Sequence, residues 1–492
     1  MARQLDDGLP PQIDTHARRL PGGMLVVSSF FNFSGLPEYY DDKLLLRVVR
    51  EQSTVASSPA AVSHRNLVTA LKDEGIILNV IPISVTIEEA QYAAMAFAGG
   101  GLSHAEEVSA ERATSVIELK PGSLRKVMKQ LSNEDGVEVE RMPIRYVCAT
   151  PAAVPPRVSP LWNLKRIQWE ESRELKDIKQ ATEVKVAVLD TGIQEDHPDL
   201  KGRVESYSHS HPLQHLMGEK DLHGHGTHVA GIIGAVTNNG FGIRGVCECK
   251  LRIWKIFRDD PQFISGQDMF SYVVDPVAYL QALQACLDSP VDVVNLSIGG
   301  SAKPSPEEER AIRGLITKGT VVVAAMGNER MFGSPTSYPA AIPGVIAVGA
   351  TNLNDRVTSF SSRGTHISLC APGQAIWSTL PSYPGQIGFL PKRTRGKTSK
   401  TKPELDLEKP ITRETDYDAW NGTSMAAPHV SGAVALLLAN RGKESPARVR
   451  ERLEASADRV EAMGKDAKGD DQDAEKSYDY GAGRLNLLKL LQ

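Results

Sequence analysis

The chain has 492 residues, of which 41% are hydrophobic and 24% are charged. This is the composition of an ordinary globular protein, and it excludes a chain that is disordered throughout, a collagen and a small disulfide-stapled domain. The 56 Lys and Arg side chains nearly balance the 60 Asp and Glu side chains, giving a formal net charge of −4, so no general attraction to nucleic acid or to an anionic membrane is expected.

The apolar segments and the cysteines indicate where the protein is located. No apolar run reaches the roughly 18 residues that a membrane-spanning helix needs, and the N-terminal residues lack the apolar stretch of a signal peptide. The five cysteines are an odd number spread thinly along the chain, which favours reduced thiols. Cys247 and Cys249 are too closely spaced for a zinc-binding pair and are interpreted as core residues. We therefore expect a cytoplasmic protein without a membrane partner.

The N-terminal part of the chain is predicted to form a small α+β domain. Residues 1–22 are polar and contain several prolines, so we expect a loose tail there, with the domain at residues 23–150. Apolar and alternating runs predict strands, and apolar residues at helical spacing predict helices. The strands are expected at Met24–Phe30, Ile76–Val85, Thr114–Leu119 and Val137–Val147, and the helices at Ser63–Asp73, Ile87–Ala98 and Ser123–Leu131. A ferredoxin-like arrangement is one candidate for this pattern.

A larger domain is predicted at residues 162–492, after a proline-rich linker at residues 151–161. Runs that are apolar on both faces alternate there with helical segments, which is typical of a doubly wound, mostly parallel α/β sheet. These runs are Val184–Leu189, Leu251–Phe257, Val291–Ile298, Thr320–Ala325 and Val345–Ala350. Two polar segments are expected to be flexible loops: a basic insertion at residues 385–419, with its charge concentrated at 392–402, and residues 461–479.

Three of the predicted strands end in polar motifs that contain glycine. These motifs are Asp190-Thr-Gly192, Ser297-Ile-Gly-Gly300 and Gly327-Asn328. Because the carboxyl ends of parallel strands meet at one edge of a sheet, the three motifs are expected to line one crevice. Such a crevice is where an active site would form.

Two predicted helices begin with polar motifs made of small residues. One opens with His-Gly-Thr-His at His225, and the other with Gly-Thr-Ser-Met, which places Ser424 at a helix N-terminus, where N–H groups favour a developing negative charge. Pro428 is expected in the first helical turn, where proline is tolerated. A serine becomes a nucleophile when a histidine takes its proton and an acid orients that histidine, and Ser424, His225 and Asp190 supply these three roles.

The order Asp190, His225, Ser424 along the chain is the order of the triad in subtilisin. The surrounding residues resemble the motifs of the subtilases, the subtilisin-like serine proteases of peptidase family S8. One such motif would be a weak signal, but seven in the right order from about residue 162 onward are specific. The motifs are Val186–Ile193, His225–Gly231, Val293–Gly300, Ala324–Asn328, Tyr338–Pro339 with Val345–Ala350, Ala371–Gly373 and Asn421–His429.

The resemblance implies a subtilisin-like fold and a serine endopeptidase that needs no cofactor for its chemistry. Asp190 would orient and stabilise the His225 imidazolium, and His225 would take the proton of Ser424 and return it to the leaving amine. Ser424 would form the acyl-enzyme. Asn328 would donate its side-chain amide to the oxyanion, alongside the Ser424 backbone N–H.

The resemblance also implies where a protein or peptide substrate would bind. Ser297, Ile298 and Gly299 would form a strand beside the substrate and part of the S1 pocket, and Tyr338-Pro339 matches a cis-proline position of the family. The segment after Asn328 contains both a Glu and an Arg, so no preference for the P1 residue is predicted.

Other chemistries were compared with this interpretation. An Asp at a strand end or a Ser at a helix start is usually a structural cap, and Asp190-Thr-Gly192 resembles half of an aspartic-protease site, but no second such motif completes a dyad. Three nearby histidines suggest zinc, but the full ligand set of a zinc site is missing, and His228 is interpreted as a packed core residue.

A structural calcium ion is the remaining metal hypothesis, and it comes from the resemblance. Asp199 stands where a calcium ligand of the family stands, and residues 237–243 resemble the family loop that supplies an Asn side chain and backbone carbonyls. Hard oxygen ligands of this kind suit Ca²⁺. The candidate ligands are Asp199, Thr237, Asn239, Phe241 and Ile243. The alternative is a plain turn in which Asp199 caps nearby backbone.

Residues 114–147 resemble the end of a subtilase propeptide. We therefore expect the N-terminal domain to regulate or inhibit the enzyme, with a cleavage somewhere between Cys148 and Pro160 that would make the chain a zymogen. The alternative function is a partner-gated or non-catalytic protease-like module, in which the N-terminal domain binds a regulatory partner or the basic 392–402 segment carries the function.

Overall fold

The computed structural model describes residues 18–19, 25–26, 37–48, 67–83, 114–134, 136–152, 159–209, 211, 216–237, 239–264, 269–391, 407–460 and 477–492. The predicted helix at Ile87–Ala98, the basic 392–402 segment and most of residues 461–479 lie outside this set. Among the described residues, no helix is both long enough and apolar enough to cross a membrane.

The described strands and helices have the following bounds in chain order. The strands are β1 (Arg18–Arg19), β2 (Leu25–Val26), β3 (Tyr39–Val48), β4 (Ile77–Pro82), β5 (Thr114–Leu119), β6 (Val137–Pro143), β7 (Tyr146–Val147), β8 (Thr150–Pro151), β9 (Lys185–Asp190), β10 (Val204–Ser208), β11 (Lys250–Lys255), β12 (Gln262–Ile264), β13 (Met269–Ser271), β14 (Val293–Leu296), β15 (Ile298–Gly299), β16 (Val321–Ala325), β17 (Ile346–Thr351), β18 (Ile367–Pro372), β19 (Ile376–Thr379), β20 (Gln386–Pro391), β21 (Leu407–Thr412) and β22 (Tyr417–Asn421). The helices are α1 (Leu124–Leu131), α2 (Trp162–Arg166), α3 (Trp169–Arg173), α4 (His225–Gly234), α5 (Pro276–Asp288), α6 (Pro306–Thr317), α7 (Thr423–Arg441), α8 (Pro446–Ser456) and α9 (Leu487–Leu491). Residues 67–73 are also helical.

Seven parallel strands form the central sheet, in the order β10-β11-β9-β14-β16-β17-β18. Strands β9, β14, β16 and β17 are buried on both faces, because helices cover the sheet and α7 runs against several of its strands, whereas β11 buries only alternate residues. This arrangement confirms the predicted doubly wound α/β fold. Its consequence for function is that β9, β14 and β16 are neighbours, so the motifs that follow them emerge side by side.

Four antiparallel strands form the N-terminal sheet, in the order β4-β5-β3-β6. Helix α1 and helical residues 67–73 cover one face, and their apolar side chains, such as Val127 and Leu71, form a core with Leu44 and Ile117. The ferredoxin-like arrangement stays a prediction, because residues 84–113 lie outside the described part of the chain.

The expectation of a flexible loop at residues 385–419 is wrong at both ends of that segment. Strands β20 and β21 pair antiparallel and join β12 and β13 in a four-stranded sheet, while β22 pairs with β19 and β8. The sequence looked polar because few side chains of the segment are buried core residues. Ile411 lies between the exposed residues Pro410 and Thr412, and Ile387 follows the half-buried Gln386. Residues 477–480, at the end of the second predicted loop, are also ordered, and Asp479 there pairs with Arg330.

Two N-terminal side chains tie the small sheet to the larger part of the chain. The Tyr40 hydroxyl donates to the Val274 carbonyl at 2.6 Å, and burial raises the pKa of Tyr40 well above its usual value. Arg47 on β3 forms an ion pair with Glu307 on α6 at 2.6 Å. The N-terminal sheet is therefore docked through buried polar contacts as well as apolar ones.

Candidate active site

Asp190 and His225 form a buried hydrogen-bonded pair. Asp190 is the last residue of β9 and His225 is the first residue of α4. The Asp190 carboxylate accepts the His225 Nδ1–H at 2.7 Å, and the same oxygen accepts the Thr191 backbone N–H at 2.7 Å. Because a carboxylate only accepts, the proton of His225 lies on Nδ1, so Nε2 is left as a proton acceptor. That nitrogen is buried and meets no hydrogen-bond partner among the described residues.

Ser424 lies at the start of the buried helix α7, one residue after Thr423. Its hydroxyl donates to the Ser297 carbonyl at 2.7 Å and accepts the Cys148 backbone N–H at 3.0 Å. The structure therefore contains the hydrogen bond between Asp190 and His225. The Ser424 hydroxyl is bonded instead to the backbone of Ser297 and Cys148.

The expectation that Pro428 falls in the first turn of its helix is wrong. Helix α7 begins at Thr423, so Pro428 is an interior residue. Its missing N–H leaves the Ser424 carbonyl without the usual helical donor, and the Ser297 hydroxyl donates to that carbonyl instead, at 2.9 Å. Together with the bond from the Ser424 hydroxyl to the Ser297 carbonyl, this contact places Ser424 beside the strand predicted to bind substrate.

Asn328 follows β16, and its side-chain orientation is fixed by Thr423. The Asn328 Oδ1 atom accepts both the Thr423 backbone N–H and the Thr423 hydroxyl, each at 3.0 Å. With its oxygen held in this way, the amide presents its Nδ2 group as a hydrogen-bond donor on the opposite side. The predicted Tyr338–Pro339 bond is cis.

A segment of the chain itself runs through the cleft beside Ser424. Strand β7 pairs antiparallel with β15, placing Val147 opposite Ile298 and Tyr146 opposite Gly299. The Ser424 backbone N–H donates to the Cys148 carbonyl at 3.2 Å. Further along, β8 pairs antiparallel with β22. Residues 144–152 thus cross the site as an extended peptide, with the Cys148–Ala149 bond next to Ser424.

Gly422 shows how closely this segment approaches. Its φ is +151°, and a Cβ atom built there would lie 2.0 Å from the Cys148 carbonyl oxygen and 2.8 Å from the Ala149 Cα. A side chain at position 422 would therefore fill the space that the passing peptide occupies, which is a physical reason for glycine two residues before Ser424.

Comparison with known proteins agrees with this geometry. The Subtilase family, Peptidase S8, matches residues 181–483. The chain belongs to the subtilase family. It is 36% identical to subtilisin E of Bacillus subtilis (strain 168) over 319 residues, which are 63% of this chain and 66% of that protein. It is 33% identical to thermitase of Thermoactinomyces vulgaris over 316 residues, which are 64% of this chain and 91% of that protein.

A solved structure supports the fold. Fervidolysin from Fervidobacterium pennivorans, described as a keratinolytic enzyme related to subtilisin, superposes with a TM-score of 0.61 and 25% identity, over 92% of this chain and 61% of that one. The subtilase described here thus spans a little under two thirds of the length of fervidolysin and of subtilisin E.

One functional residue of this subtilase, Asp221, was missed by the sequence reasoning. Its buried carboxylate accepts the Thr191 hydroxyl and the Gly224 N–H at 2.8 Å each, and both the N–H and the hydroxyl of Thr227. Burial alone would raise the pKa of Asp221, but the bonds from Thr227 hold that pKa below its usual value. Asp221 therefore connects the loop after Asp190 to the helix that begins at His225. Only its position four residues before His225 could have indicated this role.

The segment after Asn328 contains one acid, Glu329, and one base, Arg330, and the two side chains have different partners in this subtilase. Arg330 forms a bidentate ion pair with Asp479 at 2.9 and 3.0 Å. Glu329 is fully buried beside Gly327 and Ser362, and burial raises its pKa to about 8. Burial raises the pKa of the Cys148 thiol well above its usual value. The acid after Asn328 is thus fully buried, while the base is held in an ion pair.

The predicted calcium ligands satisfy one another in this structure. One Asp199 oxygen accepts the Asn239 amide at 2.5 Å, and the other accepts the Ile243 N–H at 2.8 Å. The Asn239 oxygen accepts the Phe241 N–H, and the Thr237 hydroxyl donates to Glu248. Within the described ranges, no group of three acidic, His or Cys side chains is placed to hold a metal ion. Donor hydrogens around Asp199 do not fit a cation, so the calcium site stays a prediction.

Several histidines near the site are buried and uncharged. His228 stacks on Trp420 with ring centroids 5.3 Å apart, as expected for a packed core residue, and burial lowers its pKa to about 3. His223, between Tyr272 and Trp420, has its pKa lowered to about 3 by burial and by the charge of His225. His429 accepts the Asn163 amide at Nε2 and donates from Nδ1 to the Met425 carbonyl, each at 2.8 Å.

His429 should make the stability of the protein depend on pH. Burial lowers its pKa from 6.5 to about 4, so between these pH values the unfolded chain binds a proton that the folded chain does not. The free energy of unfolding should therefore decrease as the pH falls from 6.5 to 4, by about 1.4 kcal/mol per pH unit from this group. His223 and His228 contribute with the same sign, and Glu329, whose pKa is raised, contributes with the opposite sign.

Denaturant unfolding of Ser424→Ala protein at several pH values measures this slope. Adding His429→Gln should reduce the slope by about 1.4 kcal/mol per pH unit between pH 6.5 and 4, whereas adding Ser289→Ala, at an exposed position without a titratable side chain, should leave it unchanged. Equal slopes in the His429→Gln variant and its parent would show that His429 is not held neutral by the fold.

Proposed function

We propose that this chain is a serine endopeptidase that acts through Asp190, His225 and Ser424. The observation that carries the proposal is the buried Asp190–His225 pair, which fixes the histidine proton on Nδ1 and leaves Nε2 as a base in the domain that contains Ser424. Rotation of the Ser424 side chain away from Ser297 would bring its hydroxyl to His225 Nε2. The Ser424 oxygen then attacks the substrate carbonyl carbon while His225 takes the hydroxyl proton.

The negative charge that develops on the substrate oxygen would be stabilised by two donors. One is the Ser424 backbone N–H, which already donates to the Cys148 carbonyl at 3.2 Å. The other is the Asn328 Nδ2 group, oriented by Thr423. His225 next gives its proton to the leaving amine, and an acyl-enzyme forms on Ser424. Water, activated by the same histidine, then hydrolyses the acyl-enzyme.

We further propose that the N-terminal part of the chain blocks its own active site until it is cut. Residues 144–148 pair with the predicted substrate strand, and the Cys148 carbonyl receives the hydrogen bond expected for the oxyanion. This register selects the Cys148–Ala149 bond as the self-cleavage site, within the interval expected from the sequence. A bound, uncut segment also supports the alternative of a gated module, because no other substrate can enter while the segment stays in the cleft.

Two further expectations belong to this proposal. All five cysteines are buried and unbridged, which supports a cytoplasmic location. The resemblance implies that no cofactor is needed for the chemistry, and a structural calcium ion at Asp199 stays an expectation on which no step of the reaction depends.

Incubation of the purified full chain tests the proposal. The wild type should convert to two fragments, one ending at Cys148 and one beginning at Ala149, as read by intact mass and N-terminal sequencing. Ser424→Ala protein should stay full length, and Ser289→Ala, at an exposed position after α5, should be cut like the wild type.

A fluorophosphonate probe completes the test by reporting the reactivity of Ser424. Labelling without any self-cleavage would refute the regulatory part of the proposal. A chain that neither labels nor cuts peptides, even after removal of residues 1–148 by an added protease, would refute the peptidase itself.

A further inference from the structure

The Arg145 side chain lies in a buried acidic pocket at the edge of the cleft. Only 2% of the residue is exposed. Its Nε and Nη2 atoms donate to the two carboxylate oxygens of Glu308 at 3.1 and 2.8 Å, and its Nη1 atom donates to the Ala302 carbonyl at 3.0 Å. A fork of donors on a carboxylate is the strongest geometry that an ion pair in proteins adopts.

The pocket itself belongs to the larger part of the chain. Glu308 lies in the first turn of α6, and the Tyr279 hydroxyl of α5 donates to it at 3.2 Å. Most of the remaining lining is apolar and includes Pro276 and Leu280, while Ser305 is polar and its hydroxyl accepts the Glu308 backbone N–H. Glu308 has only 2% of its surface exposed, so its charge is separated from water while Arg145 is in place.

The strand register gives Arg145 a position relative to the proposed scissile bond. With cleavage after Cys148, the residues before the bond are Cys148 at P1, Val147 at P2, Tyr146 at P3 and Arg145 at P4. The pairing of β7 with β15 holds this peptide extended, so its residues reach fixed places along the cleft. Arg145 is therefore bound as the P4 residue of a substrate would be.

We infer that an S4 subsite, formed by Glu308, Tyr279 and the Ala302 carbonyl, selects arginine in peptide substrates. This inference rests on the proposed function. Once the self-segment leaves, the Glu308 side chain would lose its cationic partner, beside the apolar side chains of Pro276 and Leu280. A buried carboxylate without a cation is strongly destabilised, so binding of a substrate cation there is favourable. Arginine fits better than lysine, since it supplies both bonds to Glu308 and the third to Ala302.

The preference is measured as a ratio of kcat/KM values on the full wild-type chain. Two chromogenic peptides are compared, acetyl-Arg-Tyr-Val-Ser-p-nitroanilide and the peptide in which methionine replaces arginine. The self-segment competes with both peptides equally, so it cancels in the ratio. The arginine peptide should be cut at least about tenfold more efficiently, the size expected for hydrogen bonds to a charged group.

Variants of the enzyme test whether Glu308 causes the preference for the arginine peptide. In Glu308→Gln the ratio should fall to within about threefold of one, whereas in Glu309→Gln, whose side chain pairs with Arg313 on the helix surface, it should stay at the wild-type value. Because Glu308→Gln leaves Arg145 buried without its counter-ion and can fail to fold, the double variant Arg145→Met/Glu308→Gln, which removes both charges, is measured as well.

The possible results distinguish a failure of the S4 inference from a failure of the proposed peptidase function. A wild type that cuts both peptides equally, or a double variant that still prefers arginine tenfold, overturns the S4 inference and leaves the peptidase in place. A wild type that cuts neither peptide and does not react with a fluorophosphonate overturns the proposed function, and the S4 inference with it.

Discussion

The Ser424→Ala variant is expected to hydrolyse peptides about 10⁶-fold more slowly than the wild type, the magnitude found when the triad of subtilisin is broken. The physical reason is that the acyl-enzyme route needs the Ser424 oxygen, and without it only the oxyanion donors and the substrate strand act on the bond. Replacement of His225 by alanine should cost a similar amount, because its Nε2 is the base placed to take the serine proton. The measurement is kcat on a soluble peptide after removal of the self-segment.

The double variant His225→Ala/Ser424→Ala is the decisive control. Residues that act as one unit are not additive, so the double variant should be about as slow as either single variant. Lys318→Ala, on the surface after α6, should retain wild-type kcat. Losses of less than a hundredfold in the single variants, or losses that multiply in the double variant, would contradict a triad.

Residues whose roles depend on short motifs at the ends of strands and helices could be predicted from the sequence. Asp190 ends one parallel strand, and Ser297 and Asn328 follow two others. Because parallel strands end at one edge of a sheet, the convergence of these residues follows from the pattern of apolar runs. The run at Thr320–Ala325, for example, predicts β16 within one residue, because every residue of that strand is buried and apolar. Local sequence determines such features.

Contacts between distant segments could not be predicted in this way. Arg413 belongs to the segment expected to be a loop. Its guanidinium donates to the Leu222 carbonyl at 3.1 Å and to the Asp221 carbonyl at 3.3 Å, close to the start of α4. The helix start was predicted correctly, but Pro428 lies beyond the first turn. The carbonyl that this proline leaves without a helical donor is bonded by Ser297, far away in sequence. Nothing in a local pattern shows which distant donor will reach a given carbonyl.

The Asn328→Ala variant is expected to lower kcat by about 10² to 10³-fold with little change in KM. Removal of one oxyanion donor has this effect in subtilisin, since that donor stabilises the oxygen most strongly when it becomes negative in the transition state. The same reasoning applies here because Thr423 holds the Asn328 oxygen from two sides and so aims its Nδ2 group. Steady-state kinetics on the peptide used for Ser424→Ala measure both constants.

The Thr423→Val variant separates the orientation of the amide from its presence. Valine keeps the shape of threonine and the backbone N–H bond to Asn328, but removes the hydroxyl that donates to Asn328 and accepts the Gly327 N–H. We expect a loss of kcat of about tenfold, between the wild type and Asn328→Ala, because one of two constraints on the amide is gone. If Asn328→Ala kept more than a third of the wild-type kcat, the Ser424 backbone N–H would have to stabilise the oxyanion without a side-chain donor. If Thr423→Val were as slow as Asn328→Ala, the amide would depend on the hydroxyl alone for its orientation.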